Sequence, residues 1–575
     1  MGKILRFLRP DRMFVVLVLV LTFGQTMSSL YLPNLMSNIV DTGIVKSNEP
    51  YILRIGLWML AVTLIGGVAA VFASYFGAKA TAGFGQRLRT RLFTHVEHFT
   101  LKEFDTVSTS SLIVRTTNDV MQVQQLVNMM LRMMVMAPLT AIGGIILAVH
   151  VDARLSLMLV VVLPIMGLVI WLLMRRGLRL FRSIQKKLDR LNLVLRENLT
   201  GVRVIRSFDR AAYEVDRFDQ ANVDLTETSV QVFQIMATLM PTVMLVMNLA
   251  TVAIVWFGAH EVGAGTLEVG NLMAFIQYVM QIMFAVMMVS MMLFMIPRGQ
   301  ASALRIQEVL DMEPEITDPR APILPQSRAG RVEFDHVTFR YPGGEEPALY
   351  DITFTALPGE VTAVIGGTGA GKSTLINLIM RLYDVTQGSV RVDDVDVRDM
   401  TQEELRSRLG YVPQKAVLFT GSVLDNLRYG SPDVSRDAAQ HVADIAQASE
   451  FIGEFPEGLD AWITQGGTNL SGGQKQRLSI ARALTRRAEI HLFDDTFSSL
   501  DYRTDALVRQ ALKRELHHVT VIIVAQRVST VMDADRILVL DEGRLVGQGR
   551  HSELMKSCPV YQEIVSSQLT PEEIA

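Results

Sequence analysis

Six apolar stretches limit what this chain can become. They lie at about residues 13–38, 55–78, 129–149, 153–174, 236–258 and 271–297. Each is close to the ~20 residues that a helix needs to cross the hydrocarbon core of a bilayer. Lipid offers no partner for backbone amides and carbonyls, so such runs must be helical. The other explanation is a set of buried helices in a large soluble protein. So many long apolar runs in about 300 residues argue against it.

The apolar run after Lys3, Arg6 and Arg9 resembles a signal peptide at first. It continues past Met27, and no small-residue cleavage site follows it. Arg6 stands where an N-myristoylation signal after Gly2 needs Ser or Thr.

The gaps between spans are uneven. Long polar segments at about 79–128 and 175–235 carry Arg87, Arg89 and Arg91 in one, and Arg175, Arg176, Arg179, Arg182, Lys186 and Lys187 in the other. The other three gaps are short and poor in Arg and Lys, the middle one being little more than His150-Val151-Asp152. Positive charge marks the cytoplasmic side. Both termini and both long segments are therefore expected inside, and the short loops outside. The long segments read as membrane helices continuing into the cytosol, with tips near Phe104–Val114 and Phe208–Phe218 placed to touch a cytosolic domain.

Four prolines, Pro314, Pro319, Pro322 and Pro325, mark a linker. The expected division is a membrane domain over 1–311, a linker over 312–330 and a second domain over 331–575. In the second domain, strand-like runs at Val361–Ile365, Ile490–Phe493 and Val519–Val524 alternate with helical segments, an α/β pattern with a mostly parallel sheet. The expected fold is thus an α-helical six-span domain fused to an α/β phosphate-loop domain. A net charge of −3 gives no basic face for nucleic acid. The single cysteine, Cys558, excludes an internal disulfide and reads as a bystander.

The strand VTAVI is followed by Gly366-Gly367-Thr368-Gly369-Ala370-Gly371-Lys372-Ser373, a match to G-x-x-x-x-G-K-[ST]. The glycines let backbone amides surround phosphates, Lys372 neutralises their charge, and the Ser373 hydroxyl can ligate Mg²⁺. Thr374 follows in the same turn. A second apolar strand, IHLFDD, carries Asp494 to where it can orient Mg²⁺. ATP and Mg²⁺ are the expected ligands.

Between these lies Leu470-Ser471-Gly472-Gly473-Gln474, continuing KQRLSIARAL. This resembles the signature of the ATP-binding-cassette (ABC) family. The resemblance implies that Ser471, Gly472, Gly473 and Gln474 close over ATP held by a second subunit, in a head-to-tail pair of ATPase domains. It further implies that Tyr341, in FRYPG, stacks on adenine. Gln414, in YVPQ, would sense Mg²⁺ and the membrane domain, and Ser498–Asp501 would cross between the two sites. Gly543 and Gly549 fit the strand-turn near the domain end.

Two positions depart from the family pattern. The residue after Asp494 is usually Glu, which polarises the attacking water; here it is Asp495. Its shorter side chain withdraws the carboxylate by about 1.5 Å, and a displacement of about 1 Å can cost roughly 100-fold in rate. Gln526 stands in place of the usual His. It can hydrogen-bond a phosphate but carries no charge. With the signature intact, this pattern resembles the slow-site subunit of heterodimeric exporters. A slow homodimer is the alternative.

The sixth span holds Met280, Met283, Met287, Met288, Met291, Met292 and Met295, out of 31 methionines in all. Flexible thioethers suit promiscuous apolar surfaces, but packing against lipid or helices is the favoured reading. The resemblance implies a plasma-membrane exporter of amphipathic small molecules, drugs or lipids. Three alternatives remain open: a peptide exporter, an importer on the same fold, and a nucleotide-sensing regulatory protein. The first span begins by about residue 13, which leaves no room before it for a peptidase domain. A bacterial host is the default reading.

Overall fold

The protein, a computed structural model, is described over residues 2–569. It divides into two compact units, Met1–Glu97 with Thr109–Met312, and His98–Ser108 with Glu313–Ala575.

Among the described residues of the first unit, six helical segments are long and apolar enough to cross a membrane. Helix α1 (Arg12–Asn38) runs on into a π-helical turn, Ile39–Ile44. Helix α2 is Glu49–Val96, α4 Val120–Val151, α5 Ala153–Thr200, α7 Ala211–Gly263 and α8 Val269–Asp311. Two short helices join long ones: α3 (Leu101–Val107) lies between α2 and α4, and α6 (Val202–Ser207) between α5 and α7.

Helix α2 shows how composition selects its faces. Gly66, Ala69, Ala73, Gly77 and Ala80 are buried at spacings of three and four, one stripe of the helix. Small side chains there let neighbouring helices approach closely, the usual route to packing in lipid. Leu53, Leu57, Leu60, Leu64 and Val68 are exposed on the other side, as a lipid-facing stripe requires.

The start of α8 is capped from another helix. Its own N-cap residue, Glu268, makes no side-chain cap bond. The buried Asp41 carboxylate instead accepts from the Gly270 amide at 2.6 Å and the Asn271 amide at 3.1 Å. A Cβ on Gly270 would sit 2.5 Å from the Ser37 carbonyl oxygen, so only glycine allows this approach. Further along α8, Arg305 Nε donates to the buried Asp119 at 2.8 Å. Helices α5 and α7 lie along each other. Arg217 joins Glu197 at 2.6 Å across that pair.

The turns between the long helices fall earlier than the expected tips. The first is α3, at Leu101–Val107 rather than Phe104–Val114. The second is α6, at Val202–Ser207 rather than Phe208–Phe218. Local capping decides this. Thr100 and Glu103 form a capping box that starts α3, and Gly201 interrupts the helix after Thr200. Segment His98–Ser108 belongs to the second unit. There Lys102 pairs with Glu315 at 2.6 Å, and the Tyr383 hydroxyl donates to Asp105 at 3.4 Å.

The second unit is built on two main sheets. The strands are β1 (Val332–Phe339), β2 (Leu349–Ala356), β3 (Val361–Gly366), β4 (Gln387–Val392), β5 (Val395–Asp396), β6 (Leu409–Val412), β7 (Ile490–Asp494), β8 (Thr520–Val524), β9 (Arg536–Asp541) and β10 (Arg544–Gly549). Among the described residues one sheet has the order β2-β1-β4-β5 and the other β10-β9-β3-β8-β7-β6. All neighbours in the second are parallel except β9 and β10. Its strands are apolar on both faces, as a sheet covered on both sides demands. Ala363, Phe493 and Ile523 enter one core, and Val364, Leu492 and Ile522 the other.

A few buried polar residues interrupt this pattern, Thr362, Thr520, Asp494 and His491 among them. His491, on β7, is buried, and its Nδ1 has no hydrogen-bond partner. Burial pushes its pKa down from 6.5 to about 4. The unfolded chain therefore binds a proton that the folded chain refuses between those values. Stability from this group is complete above pH 6.5 and is lost as pH falls toward 4. The full loss is at most about 3 kcal/mol. Replacing His491 with Leu should flatten the acid limb of a stability-against-pH curve measured by thermal denaturation. An unchanged acid limb would show that other groups set it.

Candidate nucleotide-binding site

Parallel pairing places four strand ends side by side. β3, β8, β7 and β6 are consecutive neighbours. The segments leaving their carboxyl ends carry Gly367–Gly371, Gln526, Asp494-Asp495 and Gln414 respectively. Ligands of open α/β sheets bind at this edge.

The loop after β3 leads into helix α9 (Lys372–Ile379). Gly371 has φ +91°, and a Cβ there would lie 2.6 Å from the Ala348 carbonyl oxygen, so the turn demands glycine. Lys372 is buried, and its ammonium donates to the Gly366 carbonyl at 2.9 Å and the Gly367 carbonyl at 2.7 Å. Burial lowers its pKa, and the charges of Asp495 and Asp494 oppose that shift. The carbonyls hold the lysine head beside the Gly367–Ala370 loop.

Ser373 Oγ donates to Asp494 Oδ1 at 2.8 Å. Asp494 is buried and its pKa is raised by desolvation, with Asp495 adding to the rise; the Ser373 bond and Lys372 act against it. Asp495 is also buried, in the left-handed region at φ +43°. Its Oδ2 accepts from Gln414 Nε2 at 3.1 Å and from Gln526 Nε2 at 3.1 Å. Both sequence departures thus meet at one oxygen atom. Ser373 Oγ and the Asp494 carboxylate, joined at 2.8 Å, are oxygen donors of the kind magnesium takes. Buried neighbouring carboxylates also favour a cation beside them.

Tyr341 bonds through its hydroxyl to Thr374 Oγ1 at 3.0 Å. Its ring stands edge-on to Phe339 and Tyr383, at 4.8 and 5.2 Å.

Ser471, Gly472, Gly473 and Gln474 stand apart from this cluster. Among the described residues, no hydrogen bond joins them to 366–374. Ser471 caps helix α10 (Gly472–Thr485): its Oγ accepts from the Gln474 amide at 3.3 Å, and Gln474 Oε1 accepts from the Ser471 amide at 2.9 Å. Ser471 and Gly472 are exposed, and a Cβ on Gly472 would meet nothing within 4 Å. The turn is built and open on its outer side. Residue Ser498 donates to the Asp495 carbonyl at 2.8 Å, and Asp501 caps the helix that follows it.

Sequence reasoning missed three features here. Tyr411 is pushed up to about 12 by burial, with Asp494 contributing. The left-handed backbone of Asp495 was missed, and so was Gln568, which bonds to the Gln526 carbonyl at 2.8 Å. Gln568 lies 42 residues from Gln526. No local pattern signals that contact.

The profile described as "ABC transporter transmembrane region" matches residues 15–286, and "ABC transporter" matches residues 349–498. The chain is 42% identical over 565 residues to "Uncharacterized ABC transporter ATP-binding protein Rv1273c" of Mycobacterium tuberculosis, covering 98% of this chain and 97% of that protein. It is 33% identical over 536 residues to the "ATP-dependent lipid A-core flippase" of Chromobacterium violaceum, covering 93% of this chain and 91% of that protein. A solved "bacterial Atm1-family ABC exporter with ATP bound" superposes with a TM-score of 0.80 at 25% identity, over 98% of this chain and 99% of that one.

The fold and the matches define an ATP-hydrolysing membrane transporter. This chain belongs to the ABC transporters, as an exporter half-transporter with a membrane domain and an ABC ATPase domain. ABC exporters act as dimers in the lipid bilayer.

Replacing Asp494 with Asn removes a buried carboxylate that desolvation disfavours. The nucleotide-free protein should become more stable. The extra thermal stability conferred by ATP with Mg²⁺ should disappear. Thermal unfolding with and without nucleotide reads both effects, and a variant that keeps its Mg-ATP shift would remove Asp494 from the ligand set.

Proposed function

We propose that this chain is the slow-site half of a heterodimeric bacterial exporter of amphipathic small molecules, drugs or lipids. Its membrane domain spans 1–311 and its ATPase domain 331–575, joined by 312–330, with both termini and the ATPase domain in the cytosol. The observation that carries the reading is the double hydrogen bond on Asp495 Oδ2. A general base must offer a free lone pair to the attacking water. Here two glutamine amides point at the same oxygen. The neutral Gln526 supplies no positive charge for the developing phosphate charge.

Binding itself is well supported. Lys372 and the amides of Gly367–Gly371 receive the phosphates, and Tyr341 offers an aromatic surface for the base. Ser373, Asp494 and Gln414 would hold Mg²⁺, which neutralises phosphate charge when bound. Gln526 stays within reach of the terminal phosphate as a neutral donor. The site thus retains ATP and turns it over slowly.

The signature turn has the opposite character. Ser471–Gln474 is intact, capped and open outward. It suits the ATP held by a partner half-transporter, whose catalytic site it would complete. ATP binding then closes the ATPase pair. The tips α3 and α6 carry that closure to the spans, and the cavity turns outward. Val204 and Phe208, at and beside α6, are exposed at 61% and 74%, as a tip that meets a second chain requires. The lipid A-core flippase among the relatives supports an amphipathic substrate. Met283 and Met292 are buried, whereas Met291 and Met295 are exposed, so the methionines divide between packing and an open face.

The double change Asp495→Glu with Gln526→His should raise ATP hydrolysis by the chain purified alone by about tenfold or more, since misplacement of a base by about 1 Å is worth roughly 100-fold. Steady-state phosphate release measures it. Full turnover by the unaltered chain alone would instead make Asp495 a competent base and the protein a homodimer.

A further inference from the structure

The loop that carries Gln526 is held from an unexpected direction. Helix α11 (Pro559–Gln568) ends on Gln568. Its carboxamide Nε2 donates to the Gln526 carbonyl at 2.8 Å. Its Oε1 accepts from the Val528 amide at 2.8 Å. One side-chain amide thus brackets two backbone groups, as a neighbouring strand would. From the bracketed segment, Gln526 Nε2 reaches Asp495 Oδ2 at 3.1 Å.

The carboxamide is not what anchors the helix. Tyr561 and Val565 are fully buried in the domain core. The Tyr561 hydroxyl also meets His551 Nδ1 at 2.8 Å. Gln568 itself is exposed. It buries little, yet spends both ends of its amide on the segment beside Asp495. A side chain present only for packing would not be polar, exposed and doubly bonded to backbone.

We infer that Gln568 is a positioning residue: it brackets Gln526–Val528 and so holds the Gln526 amide on the Asp495 carboxylate, keeping this ATP site slow. The inference rests on the slow-site reading above. It adds that restraint comes from the C-terminal helix as well as from the identities of Asp495 and Gln526. Without the bracket the segment relaxes, Gln526 leaves Asp495, and one carboxylate lone pair becomes available to water.

The test uses the full-length protein in lipid nanodiscs with ATP and Mg²⁺, comparing wild type, Gln568→Ala and Gln568→Glu. Amide exchange is followed by mass spectrometry across 525–530, and single-turnover hydrolysis is followed on the same samples. In Gln568→Ala, exchange in 525–530 should quicken about tenfold, the expected effect of losing a local hydrogen bond of roughly 1.4 kcal/mol. Single-turnover hydrolysis should rise about threefold through kcat with KM for ATP unchanged, as loss of a ground-state restraint predicts. The melting temperature should stay within about 2 °C.

Gln568→Glu differs by one group and guards against misfolding. Its protonated form can still donate to the Gln526 carbonyl; its ionised form cannot. The free glutamate value is about 4.3; the Gln526 carbonyl raises it and the Val528 amide lowers it. The mutant-to-wild-type ratio of hydrolysis rates should therefore exceed one across about pH 6 to 8, where the glutamate is ionised, and fall toward one as pH drops toward about 4.5. Unchanged exchange in 525–530 would overturn the inference. So would exchange that quickens with no change in hydrolysis, or a general loss of stability with a pH-independent ratio. Exchange is read on this chain whichever subunit hydrolyses ATP. A failed heterodimer reading would therefore leave the bracket result standing or falling by itself.

Discussion

Parallel pairing of β3, β8, β7 and β6 is the constraint on which the rest depends. Parallel strands all finish at the same edge, so four connecting segments far apart in sequence emerge side by side. The phosphate loop, Gln526, the Asp494-Asp495 pair and Gln414 meet there because of strand order alone. Desolvation at that edge gives the charges their force. It raises the pKa of Asp494 and lowers that of Lys372. A group disfavoured in its charged form gains most from a ligand of opposite charge, which is what a polyphosphate with a divalent cation provides.

The same edge explains how binding and hydrolysis can separate. Binding uses backbone amides, a lysine and an oxygen-donor set, all of which are present. Hydrolysis needs one further feature, a carboxylate oxygen free to accept a proton. Of the two Asp495 carboxylate oxygens, Oδ2 accepts twice. The signature turn is instead regular and outward-facing. On the proposed reading, a retentive site and a complete signature work together as one half of a pair.

Much of this was legible in the sequence, for identifiable reasons. Spans are legible because lipid requires long apolar runs, and residues 55–78 on α2 are such a run. The phosphate loop is legible because its geometry is local: a strand, glycines at special φ, then Lys372. The tips of the cytosolic arms were misplaced. Capping by Thr100 with Glu103 and the break at Gly201 set them, and those signals are weaker than hydropathy. The hydrogen bonds at Asp495 were beyond reach. They depend on three loops meeting in space and on a left-handed backbone at a non-glycine residue. Gln568 is the extreme case, since its position matters only after the C-terminal helix has docked.

The central claim is that this chain holds ATP while another site hydrolyses it. The direct measurement is to trap the transporter from its native membranes during turnover with photoreactive ATP, then identify the nucleotide attached beside Tyr341 of this chain. The account predicts unhydrolysed triphosphate there, with diphosphate attached to a second, different half-transporter. Diphosphate on this chain in equal measure, with no second polypeptide in the complex, would contradict it.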